Sequence, residues 1–80
     1  MSEPSFTPKQ GQYLAFIYAY TKIHRMAPAE ADMARFFGVS PPTVHSMVLA
    51  LERAGCITRT PRQARSIRIC IDAALLPVLQ

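Results

Sequence analysis

Only two cysteines, three glycines and five acidic residues occur in the 80-residue chain. Two cysteines are too few for a disulfide framework, and together with His24 and His45 they lack the spacing of zinc ligands. No glycine-rich phosphate loop, no carboxylate pair and no serine–histidine–acid set is present. These gaps exclude the common catalytic and metal constellations, so the chain reads as no enzyme, with no cofactor, no metal and no small-molecule substrate. Long apolar runs are missing too. Leu14 to Tyr20 falls far short of the roughly 18 residues that span a bilayer. Met1-Ser2-Glu3-Pro4 lacks the basic start and apolar core of a secretory signal. The expectation is a cytoplasmic protein without membrane contact, whose thiols stay reduced.

What is present is apolar bulk. Half of the residues are hydrophobic and 18% are charged, a balance that suits one folded domain and not a disordered chain. A domain this small buries only about 60% of the surface its unfolded chain exposes, so its core must be dense. Tyr13, Phe16, Tyr18, Tyr20, Phe36 and Phe37 supply much of that volume. The net charge is +4, and it is unevenly placed. Residues 1–40 contribute +1 and residues 41–80 contribute +3. Arg59, Arg62, Arg65 and Arg68 have no acid among them in sequence, which is the electrostatic footprint of a polyanion partner.

Residues 1–6 read as a loose arm. Thr7-Pro8-Lys9-Gln10 then carries a cap, a proline for the first helical position and a glutamine to complete a capping box. Tyr13, Phe16, Ile17, Tyr20 and Ile23 follow at spacings of three and four, which predicts a first helix from Pro8 to His24 with that face in the core. His24 is expected to satisfy the terminal carbonyls. Met26-Ala27-Pro28 interrupts the pattern. A second helix is expected over 29–37, with Glu30 and Asp32 favouring its positive end, Met33, Ala34 and Phe37 buried, and Gly38 as its stop. Ser40 caps a third helix and Pro41 opens it; Val44, Met47, Val48 and Leu51 form its inner stripe and Gly55 ends it. After Gly55 the period becomes two. Ile57-Thr58 predicts one strand, and Ile67, Ile69 and Ile71, alternating with Ser66, Arg68 and Cys70, predict a second, joined by a loop over 60–65. Three helices followed by a two-stranded β-hairpin define a mainly α, α+β winged helix-turn-helix. Asp72 caps a final short turn, and the apolar tail 72–80 folds back on the core or covers a partner.

The third helix turns Pro42, His45, Ser46, Leu49 and Arg53 away from its apolar stripe. Short side chains there let a helix backbone approach base edges in a major groove. Ser46 can serve several bases, Thr43 or Leu49 can touch a thymine methyl, and His45 can donate to a guanine or a phosphate. Arg59, Arg62, Arg65 and Arg68 sit on a hairpin that can reach the backbone or a minor groove, where the planar guanidinium suits phosphate. At least two of the four are expected to contact DNA and at least one to be a spectator. The alternative is an ordinary exposed helix beside a solvated loop, or a protein-interaction module that uses Leu49 and the tail at 75–79.

Gly38-Val39-Ser40-Pro41-Pro42-Thr43, Leu51-Glu52-Arg53-Ala54-Gly55 and Ala64-Arg65-Ser66-Ile67-Arg68 resemble the DNA-binding domain of the LexA repressor family. Thr7-Pro8-Lys9-Gln10 and Met26-Ala27-Pro28 also fall where that family starts its first helix and places its proline-bearing link. The resemblance covers residues 7–71. It implies a transcriptional regulator that recognises operator DNA in duplex form, with the third helix in the major groove and the wing on the backbone. The matched positions at the start of that helix are Ser40, Pro42, Thr43, His45 and Ser46. Better-known members carry an amide in place of Pro42, acids in place of His45 and Ser46, and a turn one residue longer, so their operator does not transfer. Larger members also carry a self-cleaving peptidase domain. The 80 residues leave no room for one, so the expectation is a free-standing domain without autoproteolysis. Binding as a homodimer to half-sites about 10 base pairs apart, or a multiple of that, is expected.

One further pairing follows from the hairpin. If Ile57 faces Ile69, Cys56 falls opposite Cys70, at a cross-strand distance of about 4.5–5.5 Å that a disulfide tolerates. The alternative is a pair of free thiols acting as small hydrophobes.

Overall fold

The computed structural model describes residues 5–80. Three helices, α1 (Pro8–His24), α2 (Glu30–Phe37) and α3 (Pro41–Arg53), precede two short strands, β1 (Ile57–Thr58) and β2 (Arg68–Ile69), and a 3-10 turn at Ala73–Leu75. This is the mainly helical winged-helix order.

Local chemistry sets the helix ends. Thr7 Oγ1 accepts the Gln10 N–H at 3.1 Å and Gln10 Oε1 accepts the Thr7 N–H at 2.9 Å, the reciprocal capping box read from the sequence. Arg25, in the left-handed region at φ +60°, stops α1. At α2, Ala29 has no side-chain acceptor. Asp32 supplies the other half of a box by accepting the Ala29 N–H at 2.8 Å. Gly38 takes φ +67° and lets the Val39 N–H reach the Ala34 carbonyl at 3.1 Å. Ser40 Oγ faces the Thr43 N–H at 3.4 Å at the start of α3. Gly55 and Cys56 donate to the carbonyls of Glu52 and Leu51 at its end, closing a Schellman turn.

The core gathers Tyr13, Leu14, Phe16 and Ile17 of α1, Met33 of α2, Val44, Val48 and Leu51 of α3, and Ile57, Ile67 and Ile71 of the hairpin region. Residues 13–17 of α1 are all buried, so the middle of this helix is enclosed on every side rather than along one stripe. Tyr13 stacks on Phe37 with centroids 4.1 Å apart, and Phe16 lies 4.5 Å from Phe36. Three residues expected in the core differ, the first being Tyr18, which is 40% exposed. Ile23 is 75% exposed, because the last turn of α1 overhangs the point where the chain leaves at Arg25. Phe36 is 47% exposed and rims the aromatic cluster. His24 has its ring 4.2 Å from Tyr20 and makes no side-chain hydrogen bond among the described residues, so it does not serve the terminal carbonyls as expected. Met47 is half-buried beside the α3 stripe.

The strands pair antiparallel with Ile57 opposite Ile69 and Thr58 opposite Arg68, as the alternation required. The second strand is shorter than the sequence suggested. Ser66 Oγ accepts the Thr60 N–H at 2.9 Å and donates to the Thr60 carbonyl at 3.1 Å, so a side chain replaces the next rung of the ladder. Pro61 has no N–H to offer, and Arg62 and Arg65 adopt φ +64° and +58°, which bends the loop away from strand geometry.

Cys56 and Cys70 are both free, which is the second of the two alternatives. The Cys70 N–H does donate to the Cys56 carbonyl at 2.9 Å. Cys56, however, sits in the turn before β1 with its thiol in the core, whereas Cys70 is exposed. Burial first, and then Cys70, push the Cys56 thiol above its ordinary range.

Phe6 and the C-terminal tail meet beside the first turns of α1. Met1 to Pro4 of the expected loose arm lie outside the described residues, and Phe6 packs against the core. In the tail, Asp72 Oδ1 accepts the Ala74 N–H at 3.0 Å, and Leu76 and Leu79 pack on the core. The Gln12 side chain donates to the Val78 carbonyl at 2.9 Å and accepts the Gln80 N–H at 2.8 Å. Among the described residues, no helix is long and apolar enough to cross a membrane, and no group of three His, Cys, Asp or Glu side chains is placed to hold a metal ion.

Candidate nucleic-acid interface

The periodicity of α3 sets its two faces. Val44, Val48 and Leu51 are wholly buried, while Pro42, Thr43, His45, Ser46 and Arg53 are exposed together with the cap Ser40. Leu49 is half-buried, and Arg53 Nε donates back to its carbonyl at 3.5 Å. The hydroxyls of Ser40 and Thr43 are 2.9 Å apart, so one bonds the other at the N-terminal turn.

The wing folds down beside this face. A cleft of about 390 Å³ is lined by His45 of α3, by Pro28, Ala29 and Glu30 at the start of α2, and by Arg59 and residues 62–67 of the wing. The structure thus brings His45, Arg59, Arg62 and Arg65 to one cleft. Ser40, Pro42, Thr43, Ser46, Leu49 and Arg53 do not line it. Arg68 faces a different groove, formed with Ile17, Tyr18, Thr21 and Lys22 of α1.

The four wing arginines differ in freedom. Along the sequence they have no acidic neighbour, but in space two of them do. Arg59 Nε lies 3.2 Å from Glu52 Oε1 and its side chain is 16% exposed. Arg65 donates to the Tyr20 hydroxyl at 3.1 Å and to the Ala27 carbonyl at 3.2 Å, and stands 3.1 Å from Asp32 Oδ2. The Tyr20 hydroxyl and Asp32 together hold the Arg65 guanidinium firmly in its charged form. Arg62 and Arg68 are exposed and make no ion pair among the described residues. Asp32 is a hub: its carboxyl accepts from Ala29 and pairs with both Arg35 and Arg65. The Ala29 N–H, and then the two arginines and Tyr20, keep that carboxyl below the usual carboxylate range against the opposing effect of burial.

Glu30 is the site residue that sequence reasoning missed. Its two carboxylate oxygens lie 3.2 and 3.1 Å from His45 Nδ1. Glu52 and Asp32 were missed as partners for the wing as well. Glu30 and Asp32 lie far along the chain from His45 and Arg65, whereas Glu52 stands only seven residues before Arg59, where the turn between α3 and β1 brings the two together.

A helix-turn-helix whose exposed helix lies beside a basic hairpin is the architecture of winged-helix proteins. The match to known sequences is more specific. The LexA DNA-binding domain model matches residues 3–66, and the chain belongs to that family. It is 38% identical over 74 residues to the LexA repressor of Thermosipho melanesiensis, covering 90% of this chain and 37% of that protein. Against the LexA repressor of Thermosipho africanus it is 40% identical over 63 residues, covering 79% and 32%. Against that of Pseudomonas aeruginosa it is 38% identical over 64 residues, covering 79% and 31%. The chain therefore spans about a third of the length of these relatives.

Proposed function

We propose that this domain binds duplex DNA sequence-specifically as a transcriptional regulator of the repressor type. Residues 41–54 enter the major groove and the wing at 59–68 lies on the backbone. The single observation that carries this reading is the cleft in which His45 of α3 stands beside Arg62 at the wing tip. A short-chained helix face with a basic arm at its flank fits base edges and phosphates at once. Ser40, Pro42, Thr43, Ser46, Leu49 and Arg53 complete the helix contribution. Arg62 and Arg68 take phosphates, while Arg59 and Arg65 act chiefly by holding the wing against Glu52 and Asp32. The protein binds as a homodimer in the cytoplasm, associated with the nucleoid when on its operator.

The experiment is a titration with generic duplex DNA at low and moderate salt. Log affinity should fall with log salt at a slope of about −0.9 for each phosphate contact. Arg62→Ala should make that slope shallower by about one contact. No binding at low salt would favour a protein-interaction module. That second reading is weakened by the tail: Leu76 and Leu79 are committed to the domain's own core, leaving Leu75 and Val78 outward.

A further inference from the structure

We infer that Glu30 is a positioning residue that fixes the tautomer of His45, so that α3 selects an amino-bearing base, adenine or cytosine, where the imidazole meets the DNA. The inference rests on the proposed DNA-binding function and names part of its specificity.

An ionised carboxylate only accepts hydrogen bonds, so an imidazole nitrogen 3.1 Å from it must carry the proton. In neutral His45 the proton is therefore on Nδ1, and Nε2, on the far side of the ring, is left as an acceptor. The side chain is 51% exposed, and Nε2 has no hydrogen-bond partner among the described residues. In the major groove an acceptor pairs with the amino groups of adenine N6 or cytosine N4, and is repelled by guanine O6 and thymine O4. Without Glu30 the imidazole exchanges tautomers and discriminates little. Protonation makes both nitrogens donors, which turns the preference towards guanine. The groups facing this imidazole are Glu30 from α2 and Arg59, Arg62 and Arg65 from the wing.

The test has two readouts. Nitrogen-15 spectra of the free protein at about pH 8 report the tautomer: wild type should hold the Nδ1–H form, and Glu30→Ala should show a mixture. Selection from a random-sequence duplex library at the same pH should give wild type one position with about a fivefold preference for adenine or cytosine. Glu30→Ala and His45→Ala should lose it while keeping the preferences at other positions. Glu30→Gln, whose amide both donates and accepts, should give an intermediate result. Thermal melts establish that each variant is folded. An Nε2–H tautomer in wild type, or a selected site unchanged by Glu30→Ala and His45→Ala, overturns the inference alone. A wild type that selects no sequence overturns the DNA-binding reading and this one with it.

Discussion

Two substitutions five residues apart on α3 should have opposite consequences. Leu51 is fully buried on the inner face and Ser46 is exposed on the outer face. Leu51→Ala removes about three methylene equivalents from the core, worth about 0.8 kcal/mol each in transfer, and leaves a cavity that adds to the cost. The expected destabilisation is about 3 kcal/mol. A domain of this length has a total stability of about 4–12 kcal/mol, so a quarter or more of it goes. The melting temperature should fall by roughly 12–24 °C, since each kcal/mol shifts a domain of this size by about 4–8 °C. Ser46→Ala should stay within about 0.5 kcal/mol of wild type, yet alter the sequences selected from a DNA library. Thermal melts followed by circular dichroism, paired with library selection on both variants, separate the two effects. A Leu51→Ala loss under about 1 kcal/mol, or a Ser46→Ala domain that melts early and selects the same DNA, would refute the division of α3 into packing and reading faces.

Other consequences are equally direct. The Asp32 carboxyl titrates lower folded than unfolded, so its stabilisation is complete above the ordinary carboxylate value of about 3.9 and is lost as pH falls through the depressed one. Acid titrations of wild type and Asp32→Asn should therefore show a flatter stability profile for the variant below about pH 4. Gly38 sits at φ +67° with nothing within 4 Å of an added Cβ, so Gly38→Ala should cost only the conformational penalty, about 1 kcal/mol in a denaturant melt. A thiol reagent should modify exposed Cys70 in the native protein and reach buried Cys56 only on unfolding. Equal rates at the two sites would contradict the placement of Cys56.

The parts legible in the sequence are those that local chemistry determines. Thr7 and Gln10 cap each other across three residues, Ser40 and Pro41 open α3, and Gly38 and Gly55 take the left-handed turns that end helices. The hairpin register is legible for a similar reason, since shifting Ile57 by one residue would expose it. Local rules fail where the third dimension decides. Ile23 continues the apolar spacing of α1, but none of the described elements covers it. Ser66 shortens the second strand by bonding back to Thr60, a competition that alternation does not reveal. The acids opposite the wing are invisible for the same cause. Glu30 and His45 are 15 residues apart, and Asp32 and Arg65 meet only because the wing folds across the α2 start. The basic hairpin thus reads as four equivalent arginines along the chain and becomes, among the described residues, two tethered and two unpaired ones in space.

In the proposed function, α3 and the wing form one DNA-facing surface. Amide chemical-shift mapping during titration with duplex DNA tests it most directly. Residues 40–46 and 59–68 should shift together, with the tail at 73–80 and its anchor Gln12 quiet. Perturbation concentrated on the tail and the start of α1, with α3 unchanged, would contradict it.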